Sequence, residues 1–247
     1  MRLAPIIALV PAFGTKTPSP VKMGLLIALV TVLFPHIAVT STTFVGFNVD
    51  FIVLCIKEFF VGIVLAVFAS VPFFMAESSG VIIDFARGAS SLQVNDPSTQ
   101  SQSSPIGILY NIMMIIIFYE IGGIFYFFNA LIDAYTILPA DAWVPPQFFQ
   151  FDNNFWQMIW DLVNRLMTIA IQLAAPCLLA VLMTEMFLGI ANRLAPQVQI
   201  AFLGMSLKSL IGLGMLAVGW LFILKQMTNQ LNLWLVDLSN ALQFFVH

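Results

Sequence analysis

Apolar residues are not spread evenly along the chain but gather into six stretches, roughly 1–13, 23–39, 51–75, 106–138, 162–183 and 200–224. A helix needs about 20 apolar residues to cross a bilayer. The last five stretches are each near or beyond that length, and the first is too short to span alone. Stretches 51–75 and 106–138 leave room for a tilted helix or a broken pair. No alternation of period two is sustained anywhere, and an open sheet edge has no place in lipid. The expected fold is therefore all-α: polytopic membrane-type helical hairpins with about six apolar segments. The tail, 230–245, differs. Leu231, Trp234, Leu235, Leu238, Leu242 and Phe245 share one helical face, with Asn232, Asp237, Ser239, Asn240 and Gln243 on the rest. It is expected to be an amphipathic helix that lies along an interface, docks on a partner or packs on its own bundle.

Composition sharpens this picture. Of 247 residues, 60% are hydrophobic and 9% charged, against about a quarter charged in an ordinary soluble domain. The mean hydropathy of +0.98 belongs to polytopic membrane proteins. A net charge of -3 is too small and scattered for nucleic-acid binding. Cys55 and Cys177 lie far apart inside apolar runs, without metal or redox spacing. With His36 and His247 the only histidines, no metal site, cofactor or His-based catalysis is expected. Pro5 and Pro11 interrupt the first apolar stretch, which does not read as a signal peptide.

The connections carry the polar residues. Residues 14–22 form a short basic turn with Lys16 and Lys22, and 139–161 combines Asp141, Asp152 and Asp161 with aromatics suited to a membrane interface. Placing the Lys16/Lys22, Arg87 and Arg193 connections on one side obeys the positive-inside tendency.

Seven ionisable groups stand inside or at the edges of apolar runs: Lys57, Glu58, Glu77, Glu120, Asp133, Glu185 and Lys208. Each costs about 2.5–3.5 kcal/mol facing lipid at a helix centre. Seven would sum to very roughly 20 kcal/mol, above the ~5–15 kcal/mol that holds a typical fold together. They must sit at helix ends, pair, line water or face protein. Lys57 and Glu58 are neighbours on different helix faces, hence poor mutual partners, and each is expected to need a partner elsewhere. Gly204, Lys208 and Gly212 recur every four residues on one face, where glycines permit close approach of a neighbouring helix or chain and the lysine can reach a carboxylate or carbonyls across the contact.

Residues 86–105 read ARGASSLQVNDPSTQSQSSP, with six serines and three glutamines. A loop longer than about 12–15 residues without structure of its own is usually functional or disordered, so this one is either a solvated linker or a segment that occludes a water-filled passage. Just before it, Glu77, Gly80, Asp84 and Arg87 recur at helical spacing as one polar stripe, with Asp84 and Arg87 one turn apart and able to pair.

Two segments resemble the FliR/SctT family of type III export proteins. The first is PFFMAESSGVIIDFARGAS, residues 72–90, followed by NDPSTQSQSSPIG. The second is APCLLAVLMTEMFLGIANRLAPQVQIAFLGMSLKSLIGL, residues 175–213. The opening PAFGTKTPSPVKMGLLIAL also looks like the family's first turn and second apolar segment. The resemblance covers nearly the whole chain in order, with the loop's wording closer to the injectisome branch. Family members usually begin further upstream, so Met1 is expected to fall inside their first helix, and Ala86 stands where the injectisome branch commonly has glutamine.

The resemblance implies a single export-gate domain over 1–247 that assembles with FliP/SctR-like and FliQ/SctS-like subunits, works with a FlhB/SctU-like switch protein, and conducts unfolded secreted proteins. It implies a bacterial inner-membrane location, raised toward the periplasmic side in the assembled complex, and a plug role for 87–104. The pore, plug and stripe residues are then Glu77, Gly80, Asp84, Arg87, Gly88, Ser90, Ser91, Gln93, Asn95, Asp96, Pro97, Gln100 and Gln102. The subunit interface comprises Lys57, Glu58, Glu185, Asn192, Arg193, Pro196, Gln197, Gly204, Lys208 and Gly212. Met113, Met114, Met183 and Met186 are either ordinary packing or an adaptable gasket. A different class, a self-contained transporter using Glu120, Asp133 and Glu185, lacks an inverted repeat or matched broken helices. An intramembrane enzyme lacks HExxH, GxSxG or paired aspartates.

Overall fold

A computed structural model of the protein describes residues 1–14, 17–40, 49–88, 104–142, 154–194 and 200–243, and among these all side chains except those of 154–159, 200–203 and 239–243. The described residues contain helices and no strand. In chain order the helices are α1 (Leu3–Leu9), a 3₁₀ turn (Pro11–Phe13), α2 (Ser19–Thr40), α3 (Val49–Ala86), α4 (Pro105–Glu120), α5 (Gly123–Ile137), α6 (Asn154–Leu194), α7 (Ile200–Val218) and α8 (Trp220–Gln243).

The prolines and glycines explain the breaks. Pro11 disfavours helical backbone at the residue before it, and Val10 is extended with φ -72° and ψ 120°. The 3₁₀ turn then ends at Gly14, whose φ of 86° suits glycine. The stretch 106–138 is a broken pair: α4 and α5 are bent by 76° at Gly122, which has φ 74°. The stretch 200–224, expected as one segment, is also broken, with α7 and α8 bent by 64° at Gly219, consistent with the tendency of helices to kink at glycine.

By length and composition α2, α3 and α6 can each cross a membrane, and counting each bent pair as one span gives five. That matches the five long apolar stretches. The tail helix is the end of α8, which starts well before it. Leu231, Trp234, Leu235 and Leu238 are buried within the chain while Leu233 and Val236 are exposed, so the apolar face packs on the protein's own bundle. Leu242 and Phe245 lie outside the described side chains.

The chain divides into two compact units. One comprises 1–72, 115–163 and 231–247, with a core including Leu3, Ile6, Ile7, Ala66, Phe127 and Leu131. In it α1 leans on α3 at Gly62, where a Cβ would overlap the backbone carbonyl of Arg2. The other comprises 73–114 and 164–230, with Phe73, Ile83, Tyr110, Met114, Cys177 and Met227 at its centre.

Candidate functional site

The polar stripe of α3 faces the start of α4. Glu77 accepts from Asn111 Nδ2 at 2.8 Å. One turn on, Gly80 lies so close to Ile106 and Gly107 that a Cβ there would overlap their backbone. One turn further, the buried Asp84 divides its carboxylate between two sets of donors. Its Oδ1 accepts from Arg87 Nε at 2.7 Å and Nη2 at 2.5 Å. Its Oδ2 accepts from the Ser104 hydroxyl and, at 2.9 Å, from the Ile106 amide.

Sequence chemistry sets this up. Pro105 occupies the first position of α4, where its missing N–H costs nothing. Ser104 precedes it as the N-cap, its Oγ accepting from Gly107 N at 2.9 Å. Asp84 then takes the next orphan amide and puts negative charge at the positive end of the α4 dipole. Both ends of the polar segment, Arg87 before it and Ser104 after it, are thus held by one carboxylate. Arg87 also reaches Ser209 Oγ of α7 at 3.4 Å. Ser90, Ser91, Gln93, Asn95, Asp96, Pro97, Gln100 and Gln102 lie outside the described residues; Gly88 closes the preceding turn with φ 82°.

A second polar feature joins α6 and α7. Lys208 donates to Glu185 Oε1, so of the two partners the Gly204–Lys208–Gly212 face left open, a carboxylate or carbonyls, it takes a carboxylate. Gly204 and Gly212 bring α7 close to α6 as expected, with Leu188 and Val181 opposite them at 3.2 and 3.3 Å from where a Cβ would stand. Beside the pair opens a groove of about 380 Å³ whose α6 wall is Glu185, Leu188, Gly189 and Asn192 and whose α7 wall is Gly204, Met205 and Lys208. Arg193 is exposed in the last turn of α6, and Pro196 and Gln197 lie outside the described residues.

Lys57 and Glu58 are in the first unit, at a buried cluster. Glu58 Oε1 accepts from Arg2 Nη2 at 2.7 Å and from Lys57 Nζ at 2.8 Å. The expectation that these neighbours pair poorly is corrected here. The flexible lysine stem lets its head travel away from its own helix face, and Arg2 draws the carboxylate into a shared position. Lys57 also donates to the carbonyls of Pro139, Ala140 and Ala142 at 3.0–3.2 Å. Arg2 donates to those of Ala134 and Leu138 at 2.8 Å and stacks 4.2 Å from the Tyr135 ring centroid. Arg2 thereby places its positive charge at the carboxyl end of α5, and Lys57 holds the carbonyls of the turn that follows it.

Of the seven embedded charges, Lys57, Glu58, Glu77, Glu185 and Lys208 find partners inside the chain. Glu120 and Asp133 are exposed and have no ion pair among the described residues. Met114 is buried and Met183 and Met186 are about two-thirds exposed, so the four methionines do not share one environment. Sequence reasoning missed Arg2, Asn111, Ser209 and Gly107. Arg2 was the detectable one: a guanidinium inside an apolar run calls for a carboxylate as strongly as Glu58 calls for a cation.

Residues 1–233 match the family described as bacterial export proteins, family 1. The chain belongs to this family, the FliR/SctT export proteins. It is 30% identical to Yop proteins translocation protein T of Yersinia pestis over 191 residues, covering 77% of this chain and 71% of the relative. It is 27% identical to the surface presentation of antigens protein SpaR of Shigella flexneri, covering 86% and 79%. It is 25% identical to the flagellar biosynthetic protein FliR of Bacillus subtilis, covering 98% and 92%. This FliR/SctT protein is thus a component of type III export with membrane-type helices, and its relatives are secretion-apparatus proteins.

Proposed function

We propose that the chain assembles with FliP/SctR-like and FliQ/SctS-like subunits into a protein-conducting export gate in the bacterial inner membrane, contacts a FlhB/SctU-like protein, and passes unfolded secreted proteins. In this reading the assembled gate is raised toward the periplasmic side, and segment 87–104 contributes to its closure. The observation that carries the closure reading is the Asp84 clamp. It fixes both ends of a polar segment at the end of the longest apolar run of α3, so that the segment is tethered at two adjacent points while its middle carries little apolar material to bind any one sequence tightly.

The assembly reading draws on the exposed apolar faces. Only 6% of the apolar span of α2 and 33% of those of α3 and α6 are buried, yet the half-exposed Glu185 interrupts the α6 face and the exposed Glu120 and Asp133 interrupt the apolar pair α4–α5. Such surfaces suit neighbouring polypeptides better than water or lipid. The transporter alternative loses one of its three carboxylates, since Glu185 is held by Lys208.

The closure reading is tested by deleting 90–103 and measuring ion conductance of the complex reconstituted with its sister subunits. Raised leakage with assembly intact is expected. Unchanged conductance removes the plug role.

A further inference from the structure

We infer that the groove between α6 and α7 seats an apolar helix of a sister export subunit, one that enters with an uncharged amide or hydroxyl side chain to hydrogen-bond the Lys208–Glu185 pair. This rests on the assembly reading above and specifies what fills one face of it.

The pair lies within an apolar run. The side chain of Glu185 is 43% exposed and that of Lys208 25%, and around them Leu182, Met186, Ile190 and Met205 are exposed. Acyl chains cannot solvate such a pair, and each charge is costly against lipid. The floor of the groove is shaped for a close neighbour. A Cβ at Gly189 would meet nothing within 4 Å, and Glu185, Gly189 and Asn192 follow one another at four- and three-residue spacing along the outer edge of α6. A volume of about 380 Å³ holds a ridge of side chains from a packed helix, the geometry in which small residues let helices approach.

Charge decides the chemistry of the occupant. The pair is neutral as a whole, so a charged group entering it would leave one charge uncompensated. Lys208 keeps two further N–H groups, and Glu185 a second oxygen, with no partner among the described residues. A side chain that both donates and accepts, an amide or a hydroxyl, satisfies both.

Gly189→Phe tests the seat directly, because the new ring enters space that the described residues leave empty. Gly214→Phe is the matched control, since Gly214 also has nothing within 4 Å but lies away from the groove. With the sister subunits co-expressed, Gly189→Phe is expected to lower the yield of complex about tenfold or more, as overpacking of a filled contact does, while Gly214→Phe leaves it near wild type. Normal assembly of Gly189→Phe overturns the seat. A photo-crosslinker at position 189 is expected to capture a sister subunit; capture of lipid or of a second copy of this chain overturns it. Glu185→Leu with Lys208→Met is expected to lower assembly too, by leaving the incoming polar group unpaired, and unchanged assembly of that variant overturns the polar part. If the unmodified chain forms no complex with sister subunits, it is the assembly reading itself that fails.

Discussion

Asp84 accepts a hydrogen bond from Ser104, twenty residues further along the chain, and thereby joins the end of one helix to the start of the next across the polar segment between them. The same carboxylate holds Arg87, so its removal frees both ends at once. Asp84→Ala is expected to cost about 3–5 kcal/mol, the usual penalty for stranding one member of a buried ion pair. Ser104→Ala removes the cap and one donor to Asp84 but leaves Arg87 and the Ile106 amide on that carboxylate, and is expected to cost less, about 1–2 kcal/mol. Thermal unfolding of the two variants in detergent checks the order, and faster proteolytic cleavage between 88 and 104 in Asp84→Ala than in Ser104→Ala checks that the clamp restrains the segment.

Gly80 and Gly24 give opposite expectations for one substitution. An alanine at Gly80 would press on the backbone of Ile106 and Gly107, whereas at Gly24 it meets nothing within 4 Å. Gly80→Ala is expected to destabilise by about 1–3 kcal/mol through overpacking. Gly24→Ala is expected to be neutral or stabilising by up to about 1 kcal/mol, since glycine in a helix interior is unfavourable. Melting temperatures of both variants decide this.

The cluster at Arg2 predicts an asymmetry. Arg2→Met leaves Lys57 and Glu58 as a neutral pair, while Glu58→Leu leaves two cations facing each other with carbonyls alone to hold them. Glu58→Leu is therefore expected to be the more damaging, by about 1 kcal/mol or more within the ~3–5 kcal/mol range for broken buried pairs. The double variant should cost less than the sum of the two singles, because its members share one network. Chemical unfolding of the three variants provides the cycle.

Leu231 is fully buried on α8 and Leu233, two residues on, is 53% exposed. Leu231→Ala is expected to cost about 2–5 kcal/mol, and Leu233→Ala within about 0.5 kcal/mol of nothing in the isolated chain. A loss of assembly without a loss of stability in Leu233→Ala would mark that face as a contact with another subunit.

Much of this was legible in the sequence because it follows from period and length. The five long apolar stretches follow from length, and the Glu77–Arg87 stripe, the Asp84–Arg87 pair and the shared face of Gly204, Lys208 and Gly212 rest on spacings of three and four residues. What was not legible depended on contacts between distant segments. Arg2 lies 56 residues from Glu58 and supplies the third body that lets Lys57 and Glu58 share one position. The break at Gly219 gave little warning, since an isolated glycine inside a helix is often tolerated and the neighbouring Gly212 and Gly214 lie in unbroken helix. Ser104 read as one more serine in a polar loop; its role as a cap came from Pro105 beside it and Asp84 across from it.

The most direct measurement is the oligomeric state and stability of the purified chain in detergent, alone and after co-expression with FliP/SctR-like and FliQ/SctS-like subunits. The account predicts a poorly behaved, heterogeneous chain when alone and a discrete, more heat-stable complex when the sister subunits are present. A monodisperse, stable monomer that ignores those subunits would contradict it.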